Sequence, residues 1–298
     1  MNLPEIPERL AAAIHLLRGE EEGNEWLAAL PRRMQLYAHR WNLELLEIAI
    51  GGAMSCCVYC RTADGIDTVL KIPVDAASGR LDSLSLSRWA RVDAGPEILA
   101  TARHSGAFLM RRILPGTTAV PAGDPEDSAR FCDLVRRMQD PTLDGLKGLR
   151  SLERVVRMRL EWAVERFVDP GYEAYSAQLP LAENLLDHLL ATTPRVDIIH
   201  GDLQYKNILT GPDGQWMAID PFTCRGDLNA EAALWAVVQA DDSAVDERID
   251  QLAECEALDP ARLRGWSFIF AVAEYRTYWE PNARRLRSFL AKEDARQR

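Results

Sequence analysis

Long apolar runs are missing from this 298-residue chain: no stretch approaches the uninterrupted length of about eighteen residues that a membrane-crossing helix needs. A leader pattern is missing too, since Met1-Asn2-Leu3-Pro4-Glu5 opens no positively charged region followed by an apolar core. A cytoplasmic chain with no membrane partner is therefore expected. Basic charge is in short supply, with 35 Lys and Arg against 45 Asp and Glu for a formal net charge of −10. That balance argues against nucleic acid as a partner, because affinity there comes from neutralising phosphates. Cysteine is sparse, six in all, and although Cys57 and Cys60 have a Cys-x-x-Cys spacing, no second pair or histidine cluster completes a zinc site. They read as buried thiols in a reducing compartment. No internal repeat or low-complexity linker breaks the chain, whose length suits one large domain or two lobes.

Against these absences one stretch stands out. His200-Gly201-Asp202-Leu203-Gln204-Tyr205-Lys206-Asn207, followed by Ile219-Asp220-Pro221, sets an Asp, an Asn five residues on, and a second Asp at spacings that phosphoryl transfer can use. Protein kinases carry His-Arg-Asp with an Asn five residues after the Asp, then a metal-binding Asp; here Gly201 replaces the Arg. Transfer of a γ-phosphoryl group asks for a carboxylate near the acceptor hydroxyl and oxygen ligands for magnesium. Asp202 suits the first task. Asn207 and Asp220 suit the second, since Mg2+ takes carboxylate and amide oxygens while keeping several waters. The flanks predict a hairpin: Asn207–Thr210 and Trp216–Ile219 bracket the turn Gly211-Pro212-Asp213-Gly214, bringing Asn207 beside Asp220 at the open end. Asp and Asn are ordinary turn formers when taken singly; the joint spacing is what favours a site. His200 is read as a brace for the loop rather than a chemical participant.

Upstream, two helices are expected over Pro7–Arg18 and Asn24–Arg40, the second with Pro31 inside it as a possible restart point. Strands follow at Leu43–Ile50, Cys56–Arg61 and Thr68–Ile72, the first two separated by Gly51-Gly52-Ala53-Met54-Ser55. A glycine turn lets backbone amides approach phosphate oxygens, so Gly51, Gly52 and Ser55 are candidates to cover a nucleotide, or simply a turn. Lys71, in Val69-Leu70-Lys71-Ile72, stands where the Val-Ala-Ile-Lys lysine of kinases stands, and reads as a phosphate ligand or as a lysine at a sheet edge. A helix over Gly79–Val92 carries Asp82, which either pairs with Lys71 or sits in a first turn favoured by the helix dipole. Glu97–Ala100 and Gly106–Met110 complete a five-stranded sheet, after which residues 111–116 read as a hinge with backbone groups near Met110 available to an adenine.

The remainder reads as helical, over Glu126–Met138, Ser151–Phe167, Tyr172–Leu190, Ala230–Ala240, Ser243–Glu256, Ala261–Tyr278 and Ala283–Ala295. Residues 181–260 hold sixteen acids and four bases. Such a surplus suits a cationic substrate, and for Asp241, Asp242, Asp246 and Asp250 a solvated helix face is the equal alternative. The expected architecture is α+β: a small antiparallel-sheet lobe with two leading helices over residues 1–112, and a larger, mainly helical lobe over residues 113–298.

With these segments in order, the chain resembles the aminoglycoside phosphotransferase superfamily of the protein-kinase-like fold, in which His-Gly-Asp-x-x-x-x-Asn and Ile-Asp replace the protein-kinase motifs. Arg40-Trp41-Asn42-Leu43, Gly51-Gly52, Val69-Leu70-Lys71-Ile72, Leu86 with Trp89, Leu114-Pro115-Gly116, His200-Gly201-Asp202-Leu203 and Ala218-Ile219-Asp220-Pro221 look like its streptomycin 6-phosphotransferase and hydroxyurea-resistance kinase branch. The resemblance implies an ATP- and Mg2+-dependent kinase of a hydroxyl on an aminoglycoside-like or aminocyclitol-like small molecule, acting as a monomer or weak dimer. It implies that Lys71 binds the α- and β-phosphates, that Asp202 orients or deprotonates the acceptor, and that Asn207 and Asp220 hold the metal. It further implies that an acid near the next helix, Asp227 or Glu231, braces the lobe or meets the substrate. Gln204-Tyr205-Lys206 stand where the branch often has histidines or glycine, which leaves open a different acceptor, such as an aminosugar or amino alcohol, or a nucleotide-binding pseudokinase with a regulatory role.

Overall fold

The computed structural model describes residues 3–49, 54–119, 125–139, 148–168, 171–239 and 241–297. It divides into two compact units, Met1–Gly116 and Thr117–Arg298. The first unit opens with α1 (Glu8–Arg18) and α2 (Glu20–Arg40), continues through β1 (Leu43–Ile48), β2 (Ser55–Thr62) and β3 (Asp67–Pro73), then α3 (Ala76–Trp89), β4 (Ile98–Ala102) and β5 (Ala107–Arg111). Its strands form one antiparallel sheet in the order β1-β2-β3-β5-β4.

Alternation along the strands decides which residue faces what. Cys56, Val58 and Cys60 of β2 and Leu70 and Ile72 of β3 join the core made with Leu10, Ile14, Trp26, Leu30 and Met34 of the two leading helices. Period-two geometry then sends Cys57, Tyr59 and Lys71 to the opposite face. Cys56 and Cys60 are structural thiols, and burial pushes both up to about 12. α2 runs unbroken through Pro31. A proline inside a helix costs about 3 kcal/mol; burial of Trp26, Leu30, Met34 and Tyr37 on one stripe outweighs it.

The second unit comprises α4 (Pro125–Met138), β6 (Arg150–Ser151), α5 (Leu152–Arg166), α6 (Glu173–Ser176), α7 (Leu179–Ala191), β7 (Asp197–Ile199), β8 (Ile208–Thr210), β9 (Trp216–Ala218), β10 (Cys224–Gly226), α8 (Leu228–Val237), α9 (Val245–Leu252), α10 (Pro260–Glu274) and α11 (Asn282–Gln297). β8 and β9 form the expected hairpin, and β6 and β10, which the sequence did not announce, form a small sheet with β7 in the order β6-β10-β7. The single helix expected over Tyr172–Leu190 is two helices, α6 and α7. Pro180 is the reason: it lies in the first turn of α7, where its missing N–H costs nothing and its fixed φ starts a helix rather than continuing one. Among the described residues no helix is long and apolar enough to cross a membrane.

Candidate active site

In the first unit, the register of β3 sets Lys71 between Cys57 of β2 and Phe108 of β5. The residue is 3% exposed. Burying an ammonium is costly unless it is paired, and its Nζ lies 2.7 Å from Asp82 Oδ2, with the Phe108 ring centroid 5.7 Å away. α3 delivers Asp82 through two local devices. Asp75 caps the helix, accepting from Ser78 N at 2.7 Å. Gly79 lets the helix come close, since a Cβ there would sit 2.4 Å from Gly106 O and from Pro73 Cγ. The shorter acid is thereby brought within reach of the lysine.

The other first-unit candidates fare differently. Ser55 begins β2 opposite Pro73, is 2% exposed, and has its Oγ 3.8 Å from Cys57 Sγ. Gly51 and Gly52 lie outside the described residues. Met110 sits inside the sheet between Val69 and Ile98. The next two amides are engaged as well, Arg111 N to Glu97 O at 2.9 Å and Arg112 N to Asp67 O at 3.0 Å. β5 extends to Arg111, and the backbone leaves the sheet at Ile113.

In the second unit, β7 pairs with β10 and leads into His200. The loop that follows is held by Glu231 of α8, whose carboxylate accepts from the backbone amides of His200, Gly201 (3.1 Å) and Leu203 (3.2 Å). Burial, opposed by those three amides and assisted by the nearby charge of Asp202, raises Glu231 to about 7. His200 is fully buried and also braces the loop. Its Nδ1 accepts from Asp202 N at 3.3 Å, which puts the ring proton on Nε2, 2.9 Å from Ile219 O. Gly201 is in the left-handed region at φ 77°, and a Cβ would meet Phe222 O at 2.5 Å. No arginine fits there.

Asp202 is half-buried, and Asn207 reaches back to it, its Nδ2 donating to Asp202 O at 2.8 Å and to Oδ2 at 3.0 Å. The hairpin ladder of Ile208 with Ala218 extends one step, Ile219 N donating to Asn207 O at 2.9 Å, so Asp220 follows the residue bonded to Asn207. Asp220 is exposed and adopts φ 54°, a left-handed conformation that Asp tolerates.

The donor chemistry around this hairpin fits magnesium. Asn207 spends its NH2 on Asp202 and keeps its amide oxygen, and Asp220 adds a carboxylate at the adjoining position: oxygen donors of the kind a hard, partly hydrated cation takes. Among the described residues no cluster of three or more His, Cys, Asp or Glu forms a metal site of another kind.

Three arginine and glutamate positions escaped the sequence reading. Arg159 of α5 donates through Nη2 to Asp202 Oδ1 at 2.6 Å and to Gly201 O at 3.3 Å, and through Nη1 to Glu274 Oε1 at 2.6 Å. Arg276 Nη1 grips the other Glu274 oxygen at 2.7 Å. Burial alone would raise Glu274, yet Arg159 and Arg276 together hold it below the usual carboxylate range. One signal was available: Arg159 falls on the buried stripe of Val155, Val156, Leu160 and Ala163, where an arginine needs buried partners.

Asp227 caps α8 through Asn229 N at 3.0 Å, and its Oδ2 accepts from Arg262 Nε at 2.7 Å and Trp266 Nε1 at 2.8 Å. With Asp227 and Glu231 each 3% exposed, both carboxylates turn to protein partners rather than to solvent. Within the acidic run, Arg248 lies 2.9 Å from Asp241, and Arg264 and Lys292 each lie 2.9 Å from Asp246, while Asp242 and Asp250 are exposed.

Residues 40–279 match the model of the aminoglycoside/hydroxyurea antibiotic resistance kinase family. The streptomycin 6-kinase of Streptomyces griseus is 28% identical over 273 residues, covering 88% of this chain and 87% of that one. The hydroxyurea phosphotransferase of Kitasatospora aureofaciens is 27% identical over 271 residues, 88% of this chain and 77% of that one. In fold, the chain is similar to the choline kinase LicA of Streptococcus pneumoniae, with TM-score 0.62 at 13% identity over 88% of this chain and 99% of that one. It is also similar to the amicoumacin kinase hAmiN, solved with AMP-PNP, Ca2+ and Ami, with TM-score 0.61 at 14% identity over 92% and 96% of the two chains. The two-part build, an antiparallel sheet unit followed by a mostly helical one, is that of the protein-kinase-like fold, and the chain belongs to the aminoglycoside/hydroxyurea antibiotic resistance kinase family of phosphotransferases.

Proposed function

We propose that this chain transfers the γ-phosphoryl group of ATP to a hydroxyl of a small aminocyclitol of the streptomycin type. The observation that carries the proposal is the Asp202–Asn207 cross-brace beside the hairpin, in a chain that aligns with streptomycin 6-kinases over most of its length. ATP as donor is supported by the kinase names of the relatives and by neighbours of the same fold solved with AMP or AMP-PNP.

In this reading Lys71, aimed by Asp82, meets the α- and β-phosphates, and Asp202 accepts the hydrogen bond of the acceptor hydroxyl. Asn207 and Asp220 hold Mg2+, which neutralises phosphate charge when bound. Glu231, His200 and Asp227 fix the loop and the start of α8 and touch no substrate. Six free cysteines suit a reducing cytoplasm.

Purified protein with ATP and Mg2+ is incubated with streptomycin, other aminoglycosides, hydroxyurea, aminosugars and amino alcohols, and products are read by mass spectrometry. One added phosphoryl group on streptomycin is expected, and Asp202→Asn removes it by about 10²-fold or more while calorimetry still detects ATP binding. A panel with no phosphorylated member overturns the proposal. A second reading, an acceptor with less positive charge, is favoured by Lys206, whose half-exposed ammonium stands 3.7 Å from Asp202 Oδ2 and would repel a cation there. Product on hydroxyurea or an aminosugar but not on streptomycin selects it.

A further inference from the structure

The two oxygens of Asp202 are held unequally. Oδ1 accepts from Arg159 Nη2 at 2.6 Å and from Gln204 Nε2. Oδ2 accepts from Asn207 Nδ2 at 3.0 Å, while Lys206 Nζ stands off at 3.7 Å, beyond hydrogen-bond distance. An ionised carboxylate oxygen offers about two lone-pair sites. Oδ1 is therefore filled and Oδ2 keeps one site open among the described residues.

The contrast extends to the partners. The Arg159 side chain is 9% exposed, and its other arm is locked to Glu274, which Arg276 grips in turn. Gln204 is 8% exposed and has only one workable amide orientation, because its oxygen turned to Oδ1 would oppose a carboxylate. Lys206 is 57% exposed in its side chain and free to swing aside. Two rigid donors fix Oδ1; a loose cation borders Oδ2.

We infer that the acceptor hydroxyl engages Asp202 at Oδ2, and that Arg159 and Gln204 are positioning residues which, by pinning Oδ1, set the direction of the open lone pair on Oδ2. This rests on the kinase reading above and specifies its chemistry. The hydroxyl oxygen bonds to the γ-phosphorus, the bond from that phosphorus to the β–γ bridging oxygen breaks with its electron pair leaving on ADP, and the hydroxyl proton passes to Oδ2 and then to solvent. Arg159 comes from α5 and its anchor from the end of α10, so the aim of Asp202 is set by two helices and not by its own loop alone.

The test measures kcat, KM for ATP, KM for the acceptor and the thermal midpoint in wild type, Gln204→Met, Arg159→Met and Arg159→Lys, using streptomycin or whichever panel member the wild type phosphorylates. Gln204→Met removes one donor at nearly constant volume and leaves no buried charge. Its kcat should fall about tenfold, because misplacing a reacting group by about 1 Å costs up to about 10²-fold, with KM for ATP and the midpoint unchanged. Arg159→Lys keeps one cationic donor and should recover part of what Arg159→Met loses. A wild type that turns over while Gln204→Met keeps its kcat within about twofold, or losses that follow the thermal midpoint alone, would overturn the inference and leave the kinase reading standing. A wild type that phosphorylates nothing in the panel overturns both.

Discussion

Replacing Glu231 with Gln turns one oxygen of a buried carboxylate into an NH2 group where the backbone amides of His200, Gly201 and Leu203 converge. Two effects oppose each other in the wild type: burial disfavours the ionised acid and the amides favour it. Burial is the larger, and it raises Glu231 from 4.5 to about 7. A rise of about 2.5 units at about 1.36 kcal/mol per unit amounts to about 3 kcal/mol. Because the folded chain holds this proton more tightly than the unfolded chain, the contribution is fully present below pH 4.5 and is lost as pH rises through about 7. Gln does not titrate. The stability of wild type minus that of Glu231→Gln should therefore drop by about 3 kcal/mol between acid pH and pH 8 or so, about 6–12 °C in thermal midpoint for a unit of this size. The assay is thermal unfolding of both proteins at closely spaced pH and constant ionic strength, where the difference cancels the titrating groups remote from Glu231. A constant difference, or one that grows with pH, would refute the reasoning: the second result would mean that the three amides outweigh burial and keep the carboxylate ionised.

Further perturbations follow from single contacts. Lys71→Met removes the ammonium 2.7 Å from Asp82, whose side chain is only 15% exposed; ATP affinity measured by calorimetry should fall about tenfold or more, with a thermal loss of about 1–3 kcal/mol for the lost buried ion pair. Gly201→Ala forces a Cβ against Phe222 O at a positive φ, and should cost about 2–4 kcal/mol in denaturant unfolding; an unchanged midpoint would show that the loop relaxes freely. Asp227→Asn strips the charge facing Arg262 and Trp266 and should lower stability by about 3–5 kcal/mol with acceptor KM unchanged in the folded fraction, whereas a raised KM at unchanged stability would make Asp227 a substrate contact.

What the sequence could disclose depended on whether the cause of each element was local. The sheet of the first unit was legible because Cys56, Val58, Cys60, Leu70 and Ile72 alternate with polar or mixed positions, and the β8–β9 hairpin because Gly211-Pro212-Asp213-Gly214 turns the chain by itself. The sheet of β6, β10 and β7 was not: β10 is Cys224-Arg225-Gly226, too short and too mixed to read as a strand, and it exists because Ile198, Ile199 and Arg150 come alongside it from distant parts of the chain. α7 was overextended because the apolar spacing crosses the break at Ala177 and Gln178 and hides the start that Pro180 imposes.

The same division runs through the candidate site. Asp202, Asn207 and Asp220 lie within nineteen residues, and their spacing is enough to bring them together once the hairpin forms. Arg159, Glu274 and Arg276 reach the same carboxylate or its neighbour from α5 and the end of α10, so no spacing within the loop announces them. Charge counting along the sequence likewise does not see ion pairs made with distant residues. Residues 181–260 hold sixteen acids and four bases, but the cations that pair with some of those acids come largely from beyond that window. Arg159 meets Asp202, Arg262 meets Asp227, Arg264 and Lys292 meet Asp246, and Arg284 meets Asp242. Part of the acidic stretch is thus neutralised within the protein while Glu183, Asp213, Glu247, Asp250, Glu254 and Glu256 stay exposed, and next to the acceptor the groups that count are the few that border Asp202 Oδ2. Lys206 is the charged one among them, and its sign opposes a cation.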